Sequence, residues 1–60
     1  MSEPSLYAGA ALRRLRRREG LTQAVMAQRL SISPSYLNLI ERNQRPVTAR
    51  VVVELVDQFD

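Results

Sequence analysis

The run Ser31-Ile32-Ser33-Pro34 constrains this chain more than any other stretch of it. Proline has a fixed φ and no amide hydrogen, so it suits the first position of a helix and not the interior of one. Ser33, just before it, supplies a hydroxyl that can cap a helix start. A helix therefore begins at Pro34, with Leu37 and Ile40 facing inward. Met26, Ala27 and Leu30, which share a face before the break, must belong to a separate helix. Two short helices, at about 23–30 and about 34–41, are thus joined by three residues.

Sixty residues make one domain and bury only part of their surface on folding, so the core must be small and efficient. With 45% hydrophobic and 25% charged residues, the middle of the chain reads as folded. There is no cysteine and no histidine, which excludes disulfides, thiol chemistry, the commonest general base and the commonest transition-metal ligand. No metal site, cofactor or catalytic residue is expected. The first residues lack the basic end and apolar stretch of a signal peptide, and no apolar run approaches the length of a membrane span.

Around the central pair the chain reads as helical throughout. Met1–Leu6 forms a loose arm, and residues 7–60 form the domain. From Tyr7 to Glu19 there is no proline, and Ala, Leu and Arg favour helix. Ala8, Ala11, Leu12 and Leu15 recur at spacings of three and four and mark its buried face. Gly20 ends it by accepting the left-handed conformation. Thr22 offers the N-cap of the second helix. Arg42 to Pro46 is a polar loop in which Asn43 can take a left-handed position. A fourth helix runs from about Thr48 to Phe59, with Val52, Leu55, Val56 and Phe59 on its apolar face. The expected fold is all-α, a small bundle of four helices.

Two short helices joined by so tight a turn are the helix-turn-helix pattern. The stretch from Leu15 to Pro46 resembles the phage-repressor and Cro-type domains of the XRE family. The matching residues are Arg16, Gly20-Leu21-Thr22-Gln23, Met26-Ala27 and Leu30. The match continues through Ser33-Pro34-Ser35-Tyr36-Leu37 and Ile40-Glu41-Arg42 to Arg45-Pro46. The resemblance implies a lambda-repressor-like fold, truncated here from five helices to four, as the front of a longer bacterial regulator. A dimerisation or ligand-sensing domain would lie downstream. Two departures stand out. Ser31 occupies a position that is commonly glycine, where a left-handed backbone would cost serine about 1–2 kcal/mol. The loop after Pro46 is one residue longer than usual.

The resemblance also implies roles. The third helix becomes the recognition helix, whose front half presents Ser35, Tyr36, Asn38 and Leu39 to base edges in the major groove. Asn38 can pair bidentately with adenine, and Leu39 can touch a thymine methyl. Gln23 opens the second helix, where its side chain and the nearby amides point out of the helix end and grip a phosphate. The cap hydroxyls of Thr22 and Ser33 join it, and Asn43, Gln44 and Arg45 lie along the sugar–phosphate backbone. Arg16 pairs with Glu41 in a structural ion pair joining the first and third helices. Arg13, Arg14, Arg17 and Arg18 are expected on solvated faces.

Charge agrees with a polyanionic partner. Nine arginines face three acids in the first fifty residues, whereas the last ten hold three acids and no base. The expectation is double-stranded DNA, bound as a homodimer on a palindromic operator in the bacterial cytoplasm, at the nucleoid. Val51 or Val53 would join the dimer interface. The alternative is an antitoxin-like protein-interaction module that uses the same fold through its acidic fourth helix. A membrane-surface helix fits poorly, because the arginines of residues 13–18 crowd several faces without an aromatic anchor. An enzyme has the least support, since no Gly-rich phosphate loop or nucleophile–base pair is present.

Overall fold

A computed structural model describes residues 7–59 of the chain. The expected arm, residues 1–6, lies outside them, as does Asp60. The two central helices begin on side-chain caps. Thr22 Oγ1 accepts the Val25 amide at 3.2 Å to start α2 (Gln23–Leu30), and Ser33 Oγ accepts the Tyr36 amide at 3.0 Å to start α3 (Pro34–Glu41). They are preceded by α1 (Gly9–Arg18) and followed by α4 (Ala49–Phe59), where Thr48 Oγ1 accepts the Val51 amide at 3.3 Å. Among the described residues these four helices make an all-α bundle. α2 packs against both α3 and α4, and α1 packs against α3. The core joins Leu12, Met26, Ala27, Leu30, Leu37, Ile40, Val47 and Val51.

The first three helices end in the same way. Gly20, Ser31 and Asn43 each hold a positive φ, of 71°, 61° and 60°. After each, the chain folds back onto the helix it has just left. Leu21 N–H reaches Arg16 O at 3.0 Å, Ile32 N–H reaches Ala27 O at 3.0 Å and Gln44 N–H reaches Leu39 O at 2.8 Å. These bonds satisfy carbonyls that a helix end would otherwise leave open. Serine at position 31 therefore does carry the left-handed backbone that the family's usual glycine at that position implied.

The start of α1 departs from expectation. The helix begins at Gly9 and not at Tyr7, and Ala8 before it supplies no side-chain cap. The cap comes instead from Asn43, whose Oδ1 accepts the Gly9 amide at 3.0 Å. Gly9 is buried against the end of α3. A Cβ there would lie 2.5 Å from Ile40 O and 2.6 Å from Glu41 O, both backbone atoms. Only glycine lets the two helices meet this closely.

Two apolar faces also need correction. On α1, Leu12 is buried and Leu15 packs on the core, but Ala8 and Ala11 are exposed. They line an open apolar groove of about 230 Å³ with Leu12, Leu15, Val47, Val52 and Leu55. The groove lies between α1 and α4, while α1 itself rests on α3. On α4 the buried valine is Val51, at 1% exposure, while Val52 and Val56 remain at 37% and 58%. Leu55 and Phe59 do pack against the core. The buried face of α4 thus runs through Val51, Leu55 and Phe59, keeping two of the four expected residues and replacing Val52 and Val56 with Val51. Val51 is accordingly unavailable to a dimer interface, whereas Val53 stays 57% exposed.

Two substitutions with opposite outcomes follow. Gly9→Ala should destabilise the fold by about 1–3 kcal/mol, because backbone carbonyls cannot move aside as a flexible side chain would. Ser31→Gly should raise stability by less than about 1 kcal/mol, since relief of the left-handed strain is partly offset by a freer unfolded chain. Chemical denaturation of the two variants beside the parent checks both signs.

Candidate nucleic-acid interface

The surface of α3 divides by helical period. Leu37, Ile40 and Glu41 are buried. Ser35 is fully exposed, and Tyr36, Asn38 and Leu39 are half-buried, with the Tyr36 ring resting on the core. Of the four side chains expected at base edges, none is enclosed by the protein. The start of α2 lies beside this face, since Gln23 Nε2 is 3.2 Å from Asn38 Oδ1.

Beneath the face sits a buried carboxylate. The Glu41 side chain is 2% exposed and is held by donors from two helices. Arg16 of α1 grips it with a fork, Nε to Oε2 at 2.7 Å and Nη2 to Oε1 at 3.0 Å. Gln23 of α2 donates from Nε2 to Oε1 at 3.1 Å. The third Arg16 nitrogen, Nη1, donates to Leu21 O at 3.1 Å and so secures the turn between α1 and α2. Burial pushes the Glu41 pKa up, but the hydrogen bonds from Arg16 and Gln23 and the charges of Arg16 and Arg13 outweigh it, and the pKa lies below its ordinary value. The Arg16 pKa is raised, chiefly by its hydrogen bond to Glu41 and against the effect of burial.

Arg13 is not simply solvated, as its neighbours suggested. Its Nη2 donates to Glu41 O at 2.9 Å, and its Nε lies 3.9 Å from Glu41 Oε1. It thereby caps the end of α3 and adds charge beside the carboxylate. Its position three residues before Arg16, hence on the same side of α1, is the signal that could have found it. Arg14, Arg17 and Arg18 are exposed.

Gln23 also behaves differently from expectation. Its side chain does not point out of the helix end but reaches inward, because the buried carboxylate needs donors and the two protons on Nε2 meet Glu41 and Asn38. Only its acceptor oxygen remains for solvent, which a phosphate would repel. The backbone still offers donors there. The Thr22 cap takes the Val25 amide, which leaves the Gln23 and Ala24 amides with no acceptor inside the helix.

The remaining residues lie at the surface. Thr22, Ser33, Asn43, Gln44 and Arg45 are all exposed. Asn43 gives its Oδ1 to the Gly9 amide, so its Nδ2 is the end that can reach outward. Arg45 makes a local bond to Gln44 O at 3.1 Å. Among the described residues, no helix is long and apolar enough to cross a membrane.

Comparison with known proteins places the same residues in a family. The model of a helix-turn-helix domain matches residues 8–59. A propionyl-CoA carboxylase regulator of Cereibacter sphaeroides is 57% identical over 54 residues, covering 90% of this chain and 12% of the relative. The HTH-type transcriptional regulator PrpR of Mycobacterium tuberculosis is 48% identical over 54 residues, covering 90% of this chain and 11% of the relative. RamB, an HTH-type transcriptional regulator of the same species, is 47% identical over 53 residues, covering 88% and 11%. The chain thus spans only about a ninth of the length of these relatives. No solved structure matches it.

The pairing of Glu41 carries a pH dependence. A carboxylate whose folded pKa lies below its unfolded value, about 4.3, gives stability that is complete above the unfolded value. That contribution is lost as pH falls through the folded one. Glu41→Gln should be less stable at neutral pH, by up to about 3–5 kcal/mol. Its disadvantage should shrink as the pH is lowered toward 2.5. Thermal melts of both proteins across that range test this, and a constant gap would contradict it.

Proposed function

The chain belongs to the helix-turn-helix domain family, and on that premise we propose that it is the sequence-specific, double-stranded-DNA-binding domain of a bacterial or phage-type transcriptional regulator, with no catalytic role. The observation that carries this reading is the division of α3. Leu37 and Ile40 anchor the helix in the core, while Ser35, Asn38 and Leu39 keep access to the surface beside the start of α2. A helix held from behind with a polar front is what insertion into a major groove requires.

On this reading Ser35, Tyr36, Asn38 and Leu39 meet base edges. Thr22 and the amides of Gln23 and Ala24 hold a phosphate at the α2 end, where the helix dipole favours an anion. Ser33, Asn43, Gln44 and Arg45 follow the backbone of the duplex. The Gln23 side chain supports the site from inside, while its amide makes the phosphate contact.

A single module of this size offers few contacts, so the binding unit is a homodimer on a palindromic operator, with half-sites about one helical turn apart. Exposed Val53 is available to that contact. The names of the relatives support a transcriptional regulator; on this reading it carries ligand-sensing or dimerisation parts elsewhere and works in the bacterial cytoplasm, at the nucleoid.

Titration of duplex DNA at rising salt tests the reading. Phosphate contacts release counterions, so affinity must fall steeply as salt increases. Arg45→Ala should weaken binding to all duplexes alike and reduce the slope of log affinity against log salt by about one. Binding indifferent to salt, or no binding to duplex DNA at all, would sink the proposal.

A further inference from the structure

The Gln23 carboxamide lies between two oxygens. Its Nε2 is 3.1 Å from Glu41 Oε1 and 3.2 Å from Asn38 Oδ1. An ionised carboxylate only accepts hydrogen bonds, so Gln23 must turn its NH₂ end toward Glu41. The same nitrogen has one proton left, and the group that meets it must accept as well. Asn38 stands there, so Asn38 turns its oxygen toward Gln23 and its Nδ2 away. Flipping Gln23 would set an oxygen against a buried anion, and flipping Asn38 would set two NH₂ groups face to face. Each loses hydrogen bonds beside a desolvated charge, where such losses are most costly.

We infer that Glu41 and Gln23 are positioning residues that hold Asn38 as a hydrogen-bond donor toward DNA, so that the base it faces must present an acceptor: guanine is preferred and cytosine is rejected. The inference rests on the reading that α3 enters the major groove. It also revises the pairing that the sequence suggested. Bidentate recognition of adenine needs an asparagine that offers its oxygen and its NH₂ together. Here Asn38 Oδ1 is turned toward Gln23 Nε2 at 3.2 Å, so on this inference the NH₂, and not both ends together, is presented to the groove. On the major-groove edge, guanine carries two acceptors, N7 and O6. Adenine carries one beside a donor, thymine carries O4, and cytosine offers only the N4 donor.

Neither Gln23 nor Glu41 touches the base in this arrangement. Their influence passes through one side chain, so it should appear at one base pair of each half-site and at no other. A merely structural role would change affinity or melting temperature without moving the preference at a single position.

Selection of bound duplexes from a random pool, by the parent chain, by Asn38→Asp and by Gln23→Ala, reads this directly. Asn38→Asp keeps an acceptor for Gln23 but presents an acceptor to the groove. It should move one position of each half-site from guanine to cytosine, with a preference of about tenfold. Gln23→Ala frees the Asn38 amide to rotate and should admit adenine at that same position, leaving the others unchanged. Thermal melting of the selected proteins identifies any variant that fails to fold, and Asn38→Asp, at a half-exposed position, keeps the test open should Gln23→Ala unfold.

The inference is overturned if the parent prefers any base other than guanine where Asn38→Asp alters the motif, or if Asn38→Asp alters no position. It is also overturned if a folded Gln23→Ala selects the parental base as strictly as before. In each case an enriched motif still leaves the DNA-binding reading standing. If the parent enriches no motif and shows no salt-dependent affinity, that reading itself has failed.

Discussion

One buried anion organises this domain. A carboxylate withdrawn from water costs several kcal/mol unless opposite charge and hydrogen bonds surround it, and Glu41 sits at the end of α3 with almost none of its side chain exposed. The donors that surround it come from outside its own helix. Arg16 reaches from α1 and Gln23 from the first position of α2, and Arg13 of α1 adds its charge 3.9 Å away. Meeting that one demand fixes how the three helices stand relative to one another. Apolar packing alone is less exacting, since a core of roughly the right size tolerates many arrangements. The eight apolar residues of this core supply cohesion, and the carboxylate selects one geometry from those that cohesion would permit.

Helix ends are the second constraint, because α2 and α3 have only eight residues each. Helices so short are marginal alone, and a large fraction of their peptide groups lies in a first or last turn. Each is closed by a hydroxyl at its start and by a left-handed residue at its end. The three left-handed residues differ in what else is asked of them. Gly20 is asked only to turn. Ser31 turns at some strain. Asn43 turns and also caps α1 with its side chain, a task glycine could not perform. The end of α3 and the start of α1 thus close each other, with Arg13 on the Glu41 carbonyl and Asn43 on the Gly9 amide.

What could be read from the sequence divides along the same line. The bounds of α2 and α3 were legible because Thr22, Ser33 and Pro34 act on amides within three residues of themselves. The start of α1 was not, because its cap lies 34 residues away and its close approach to α3 depends on a glycine that local propensity counts against a helix. On α4, Leu55 and Phe59 were placed rightly, but Val52 and Val56 were named where Val51 is the buried valine. Val51, Val52 and Val53 are alike in chemistry, and only the position of α2 decides which of them turns inward. The side chain of Gln23 was assigned outward for a similar reason. Capping logic sees the helix end, whereas the carboxylate that draws the side chain inward belongs to another helix 18 residues on. The partnership of Arg16 with Glu41, 25 residues apart, came from resemblance to a family and not from any spacing rule.

These constraints also separate attraction from discrimination. Arg16 and Arg13 are turned toward Glu41, while the other seven arginines are exposed. Exposed arginines attract any phosphate chain and carry no information about its sequence. Sequence can be read only by groups whose donors and acceptors point in a fixed direction, and on a half-exposed helix face a carboxamide normally rotates between two nearly equal states. On the inference drawn above, here it does not, because its orientation is passed outward from the buried Glu41 carboxylate through Gln23. On that inference, the group that holds the helices in place also sets which hydrogen-bonding end of Asn38 would face a groove. If so, stability and base preference are coupled in this domain, and a substitution at Glu41 disturbs both.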